Sequence, residues 1–524
     1  MTIGGMICKL RTGAKLSQEQ FAELFGVSRQ AVQKWERDVS VPELEKLIRI
    51  SKHFDVSLDA LVLESDTRVT EELKYNKELK PKYANIHEWE SYSSNLVTEY
   101  RQGIDEGLEL AAYADIFAAV ARLPKDETKK KLGDVLFDVV RNAPMAEGYA
   151  FVEPSTLEEI KTLRKSAPTL GAVCAKTLES KIHGAWMGRI CGCLLGKTIE
   201  GIRTNELVPF LKETGNYPMH RYILRSDLNE EIMGKYKFRF AGRCYADEVC
   251  GMPVDDDTNY VVLAQEIIKK HGRDFTPYDV SRAWISLQSK DFYCTAERVA
   301  FCNFVKGFEP PASAQYKNPF REWIGAQIRG DYFGYINPGN PELAAEMAFR
   351  DASISHTKNG IYGEMFVAAM LAAAACTDDM KTVILAGLAQ IPHTSRLYEA
   401  VMWVLTGYEN GLSAKDCFAE VHNRYDEHMG YGWCHTISNA MIVAAALLYG
   451  NGDYSKSICM AVEVGFDTDC NGATVGSVVG MAKGLGAIGE VWKLPIGDTL
   501  HTSIFGVGTV KISECVKQTL AHLA

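Results

Sequence analysis

The chain reads as an all-α protein: a small five-helix N-terminal domain, a helical connector and a large orthogonal α-helical domain. Three observations lead there. Apolar residues recur at spacings of three and four through most of the 524 residues, while long alternating β-branched runs are scarce. Glycine recurs every four residues in several apolar stretches, which puts small residues on one helix face and lets neighbouring helices approach closely. The length exceeds what one ordinary core supports, and composition shifts place the boundaries at 1–65, 66–175 and 176–524.

Composition narrows the class. With 47% hydrophobic and 24% charged residues the chain is expected to be a soluble globular protein. Apolar stretches such as 366–375 and 440–448 stop well short of the roughly 20 residues that a membrane span needs, so no membrane partner is expected. The first residues carry Lys9, Arg11 and Lys15 without a cleavable apolar core, and a cytoplasmic location is expected. The 14 cysteines lack a framework spacing, and Cys191 and Cys193 lack the second pair of a zinc knuckle; reduced thiols follow. A net charge of −10 gives no bulk attraction to polyanions, so nucleic-acid contact requires a local patch.

In the first domain, Ser17 followed three residues later by Gln20 is a capping box, with Phe21, Leu24 and Phe25 as the apolar face behind it. Gly26 ends that helix. Ser28 caps the next, whose Ala31, Val32 and Trp35 face inward while Arg29, Gln30, Gln33, Lys34 and Arg37 point outward. Further helices run from Leu44 to Phe54 and over 56–61. A helix, a tight glycine turn and a second helix rich in groups that bond base edges and phosphates make a helix-turn-helix. The segment resembles the Cro/phage-repressor type over nearly its full length. That resemblance implies DNA as a partner, a homodimer on two half-sites, and Gln18, Arg29, Gln30, Gln33 and Lys34 as contact candidates.

The connector opens with a polar stretch over 65–83 that reads as a linker or solvated helix. Apolar periodicity then predicts a stripe of Trp89, Tyr92, Leu96 and Tyr100, a helix over 108–123 and a third through Leu132 to Val140. No catalytic constellation is visible in it, and a dimerisation, sensing or spacer role is expected.

Two acidic clusters dominate the last region. Asp255, Asp256 and Asp257 precede the apolar run from Tyr260, and Asp467 and Asp469 precede a Gly-rich helix. One Asp suffices to cap a helix; three in succession repel one another unless a cation neutralises them. Oxygen ligands of this kind suit Mg²⁺, Mn²⁺ or Ca²⁺. Asp467 and Asp469 alone read equally as caps or ligands. Glu200 follows a Gly-rich helix end, and His356 precedes another such helix. The Gly, Asn and Pro cluster containing Gly334 and Asn337 reads as a loop that could cradle a ligand.

Four motifs in order then resemble the ADP-ribosylglycohydrolase family. Gly192 to Gly196 with Glu200 is similar to its Gly-Asp-Ala-Leu-Gly turn and following Glu. Asp255 to Thr258 is similar to its Thr-Asp-Asp-Thr motif, Ser355-His356 to its Thr-His element, and Asp467 to Cys470 to its Asp-Thr-Asp motif. Cys193, Asp255 and Cys470 depart from the family pattern. The resemblance implies two Mg²⁺ ions, with Mn²⁺ as the alternative, on Asp255, Asp256, Asp257, Asp467 and Asp469. It further implies Glu200, Asp256 and Asp257 as catalytic residues and His356 as a diphosphate or ribose contact, Gly334 and Asn337 being loop candidates. The expected activity is hydrolysis of an ADP-ribosyl linkage in a protein or small molecule. The alternative is a transcription regulator that senses an ADP-ribose-type ligand without turnover.

Overall fold

The computed structural model describes residues 2–62, 79 and 81–523, so most of the polar stretch over 65–83 lies outside the described residues. Two compact units, Met1–Asn85 and Ile86–Ala524, divide the chain.

The first unit contains α1 (Ile3–Gly13), α2 (Gln18–Phe25), α3 (Arg29–Glu36), α4 (Leu44–His53) and α5 (Leu58–Val62). The expected caps are in place: Ser17 and Gln20 form a reciprocal capping box, and Ser28 Oγ accepts the Ala31 amide at 3.2 Å. Gly26 turns between α2 and α3 with φ 65°, a left-handed conformation that disfavours any side chain. Ile7, Phe21, Phe25, Val32, Trp35 and Ile50 close the core.

The second unit begins with the connector helices α6 (Leu96–Asp105), α7 (Ala114–Ala121) and α8 (Glu127–Asn142). Trp89 and Tyr92 sit in short 3₁₀ turns ahead of α6 rather than on one continuous stripe. The helix expected over 108–123 starts only at Ala114. Gly107 adopts φ 83° and Leu108 bridges to Met145, so the chain leaves α6 through a turn before it can wind again.

These helices dock on the following region through buried charge. Arg321 donates to Glu99 at 2.8 Å and to Glu106 at 2.7 Å; Gln102 donates to Glu322 at 2.6 Å; Arg396 donates to Glu153 at 2.7 Å and to Glu322 at 2.8 Å. The compact unit that holds these contacts runs from Ile86 to Ala524.

Beyond it, the site is carried by α9 (Ala175–Lys197), α10 (Asp256–His271), α11 (Thr295–Val305), α12 (Lys358–Ala374), α13 (Thr436–Gly450) and α14 (Thr468–Lys483). A single antiparallel hairpin, Thr499–His501 with Thr509–Lys511, is the sheet found among the described residues. The cluster containing Gly334 is not a loop as expected. It forms a short helix, Asp331–Tyr335, in which Gly334 packs on Ala368 and Leu371 of α12.

Candidate metal centre and its cavity

The fourfold glycine spacing assembles the site. Gly184, Gly188 and Gly192 of α9 face the backbones of Gly480, Gly476 and Gly472 of α14, and a methyl at any of them would collide with the opposing carbonyl. At the end of this seam Thr468 Oγ1 donates to the Gly196 carbonyl at 2.9 Å. That contact brings the start of α14, with Asp467 and Asp469, beside the end of α9, with Cys193, Lys197 and Glu200. Asp255 caps α10 from the other side, its Oδ1 accepting the Asp257 amide at 2.9 Å.

Two donor groups result, Cys193, Asp255 and Asp257 in one and Asp257, Asp469 and Cys470 in the other; within each, the ligand atoms lie within 4.8 Å of one another. Asp257 belongs to both. Two cations are built in: Arg189 pairs with Asp257 at 2.8 Å and with Asp331 at 3.0 Å, and Lys197 donates to Asp255 Oδ2 at 2.6 Å. Against them stand Glu200, Asp255, Asp256, Asp257, Asp467 and Asp469. Asp257 Oδ2 and Asp469 Oδ1 are buried without a hydrogen-bond partner, and an orphaned buried carboxylate oxygen is costly unless a cation meets it. The donor set thus fits a divalent cation.

The electrostatics agree. Burial pushes Asp256, Asp257 and Asp469 well above the usual carboxylate range, and neighbouring carboxylates add to each shift. Glu200 is pushed up to about 7 by burial, then by Asp467 and Asp255. The Cys193 and Cys470 thiols are raised by burial and by the surrounding aspartates, so in the absence of metal they stay protonated. Asp467 is presented by a left-handed pair, Gly465 at φ 80° and Phe466 at φ 57°. The Cys434 thiol donates to its Oδ2 at 3.2 Å.

A cavity of about 280 Å³ opens over these carboxylates. Glu200, Asp256, Asp467, Asp469 and Cys470 line it; Asp255 and Asp257 are not among the lining residues. His356, Gly334 and Asn337 are not among the lining residues. His356 is buried with Nδ1 on Ser355 Oγ at 2.8 Å, and burial together with Arg329 holds its imidazole neutral, well below the ordinary range. Asn337 donates to the Phe333 carbonyl at 2.8 Å and accepts from Arg273. The side-chain amide of Asn337 is spent on packing, whereas His356 Nε2 is buried without a hydrogen-bond partner.

Other participants are not evident from the sequence. Arg189, Cys193 and Lys197 recur every four residues, each one position after a seam glycine, and that spacing is the signal that could have found them. The connector also supplies cavity wall, namely Glu88, Trp89, Asn95 and Thr98.

In the first unit Arg29, Gln30, Gln33 and Lys34 are exposed along α3, as a DNA-facing helix requires. Arg29 pairs loosely with Glu19 at 3.5 Å. Gln18 is half-buried, its amide donating one N–H to Glu36 at 2.6 Å beside the Arg11–Glu36 pair, which leaves its second N–H and its carbonyl oxygen for a further contact.

Comparison with known proteins gives two family matches: the profile described as ADP-ribosylglycohydrolase over residues 175–515, and one described as helix-turn-helix over residues 9–61. The HTH-type transcriptional activator BcrR of Enterococcus faecalis is 40% identical over 79 residues, 15% of this chain and 39% of that protein. The chain therefore spans well under half of that relative's length. A solved structure titled ADP-ribosylglycohydrolase-related protein complex is similar over 66% of this chain and 98% of its own, at 17% identity and a TM-score of 0.40. With the family profile covering most of the sequence from Ala175 onward, this chain belongs to the ADP-ribosylglycohydrolase family and carries a helix-turn-helix domain at its N-terminal end.

Proposed function

We propose that the second unit hydrolyses a ribosyl bond at its anomeric carbon, in an ADP-ribosylated protein or an ADP-ribose-type small molecule, using divalent cations. The observation that supports this most is the pair of donor groups sharing Asp257 beneath a cavity lined by Glu200. Asp255, Asp256, Asp257, Asp467 and Asp469 are the residues that would hold the metal, with Mg²⁺ as the expected ion. Ligation by Cys193 or Cys470 would shift the preference away from Mg²⁺, towards Mn²⁺ or a softer metal. Bound there, two ions supply orientation of the ribose hydroxyls and a lowered pKa for water.

The protein's own part is proton handling and exclusion of solvent. Cleavage passes through an oxocarbenium-like state, in which the leaving group gains a proton and water loses one. Glu200 is the group for this transfer: at about 7 it exchanges a proton near neutral pH. Trp323, Trp433 and Phe320 wall the cavity and keep bulk water from the reacting carbon. Asp256→Ala and Asp469→Ala are expected to abolish release of ADP-ribose from ADP-ribosylated arginine or serine while the chain stays folded. Retained turnover would sink the reading.

The helix-turn-helix is proposed to bind DNA as a dimer through α3. Arg29→Ala with Gln33→Ala should lower operator affinity without changing turnover. A second reading, a regulator that senses an ADP-ribose-type ligand, is favoured by one observation: connector residues form part of the cavity wall. Ligand-dependent DNA affinity without hydrolysis would select it.

A further inference from the structure

The cavity wall contributed by the connector lies outside the family match, which begins at residue 175. The segment is built firmly. Glu90 Oε1 accepts from Lys290 at 2.6 Å and from Arg298 Nε at 2.7 Å, which ties the turn Glu88–Glu90 to the start of α11. Asn95 Nδ2 donates to the carbonyls of Glu88 at 2.9 Å and Ser91 at 3.1 Å. His87 Nδ1 accepts the Trp89 amide at 3.3 Å, and the two rings sit 4.8 Å apart. Trp89 is thereby fixed in place while remaining only partly buried at the cavity.

The chemistry of the lining is one-sided. Trp89, Trp323, Trp433 and Phe320 supply aromatic surface; Glu88 supplies a carboxylate in addition to those of the metal centre, while Glu297 is already paired with Arg329 at 3.1 Å. Among the described residues no Lys or Arg lines the cavity. Arg203 lies over the Trp433 ring at 4.7 Å without belonging to the lining. Such a wall suits a flat group that is positively charged or neutral. Aromatic faces attract cations over their rings, and an added carboxylate strengthens that preference. A phosphate in the same place would find no cation among the lining residues, only acids, rings and neutral groups such as Thr98 and Thr295.

We infer that Trp89 and Glu88 form a specificity subsite for the leaving group, taking a planar nitrogenous aglycone of the pyridinium type against the Trp89 ring with Glu88 facing its charge. This rests on the hydrolase reading for the word leaving group, but not for binding. The subsite makes substrate choice depend on a segment that lies outside the family match.

Titration calorimetry of the full chain with Mg²⁺ tests it, using nicotinamide riboside, the neutral riboside inosine, and ADP-ribose, which has no aglycone. Trp89→Ala should weaken nicotinamide riboside by about tenfold, Trp89→Phe by less than about threefold, and neither should move ADP-ribose by more than about twofold. Glu88→Gln should weaken nicotinamide riboside but leave inosine unchanged. The inference is overturned if the parent chain binds neither riboside, if Trp89→Ala leaves their affinity intact, or if ADP-ribose loses affinity equally. Melting curves verify folding, and Glu88→Gln carries the test should Trp89→Ala misfold. Turnover of nicotinamide riboside, followed separately, judges the hydrolase reading: binding without turnover keeps the subsite and removes the hydrolase.

Discussion

Lys197 donates to Asp255 Oδ2 at 2.6 Å, while Oδ1 of the same carboxylate accepts the Asp257 amide at 2.9 Å. Asp255 stands where the family pattern has a threonine, and the lysine contact shows how the extra negative charge is tolerated: its counter-ion arrives about two turns of α9 beyond Arg189. Asp255 is thus both a helix cap and half of an ion pair before any metal binds. Burial works to lower the Lys197 ammonium, yet Asp255 above all holds it well above the usual range.

Lys197→Met should therefore raise the dependence on metal. Without its partner, Asp255 becomes an uncompensated buried carboxylate, a change that costs on the order of 3–5 kcal/mol in such settings. Thermal melts in EDTA should show a large loss of stability, and saturating Mg²⁺ or Mn²⁺ should restore more of it than in the parent chain. Equal melting temperatures with and without metal in both proteins would contradict the role given to Lys197.

The acid cluster also sets a pH dependence. Glu200 and Glu297 are each raised from 4.5 to about 7, mainly by burial, and Asp256, Asp257 and Asp469 are raised in the same direction from 3.8. A carboxyl with a raised folded pKa binds protons more tightly when folded, so its contribution is fully present below the unfolded value and is lost as pH rises through the folded one. The metal-free protein should accordingly lose stability between about pH 4 and pH 7, measured by urea unfolding in EDTA. Divalent cations should oppose this loss, with an effect that grows with pH because protons and metal compete for the same oxygens.

The connector's attachment can be probed at Arg321, which is buried and bonded to Glu99 and Glu106. Arg321→Met leaves both acids with reduced compensation and should cost roughly 3–5 kcal/mol in urea unfolding. Because Phe320 and Trp323 beside it line the cavity, the same variant should weaken binding of nicotinamide riboside more than it weakens metal binding. An unchanged riboside affinity would show that docking and cavity are independent.

What was legible in the sequence follows the range of the forces involved. Helix α3 and its caps could be read because Ser28 acts on an amide three residues away. The acidic clusters could be read because like charges adjacent in sequence need a reason. Docking of the connector was hidden, since the partner of Gln102 lies 220 residues further on. The surroundings of His356 were hidden for a related reason: its hydrogen-bonding neighbour is Ser355, and nothing local shows that its ring is enclosed. The region around Gly334 carried turn residues in number, yet burial against α12 outweighed their local preference.

Gly192 offers the sharpest mutational test of the seam. A methyl there would meet the Gly472 carbonyl of α14, which is backbone and cannot rotate away, so α9 and α14 must separate. Overpacking of this kind costs typically about 1–3 kcal/mol. The seam also sets the distance between Cys193 and the start of α14, so Gly192→Ala should weaken metal binding along with stability. At Gly234, in the short helix Glu230–Lys235, a methyl would have no neighbour within 4 Å. Gly234→Ala should be neutral or stabilising by up to about 1 kcal/mol, from helix propensity alone. Parallel urea unfolding and metal titration of the two variants separates close packing from propensity. If Gly192→Ala kept the metal affinity of the parent chain, the seam would not be what holds the donor groups in register.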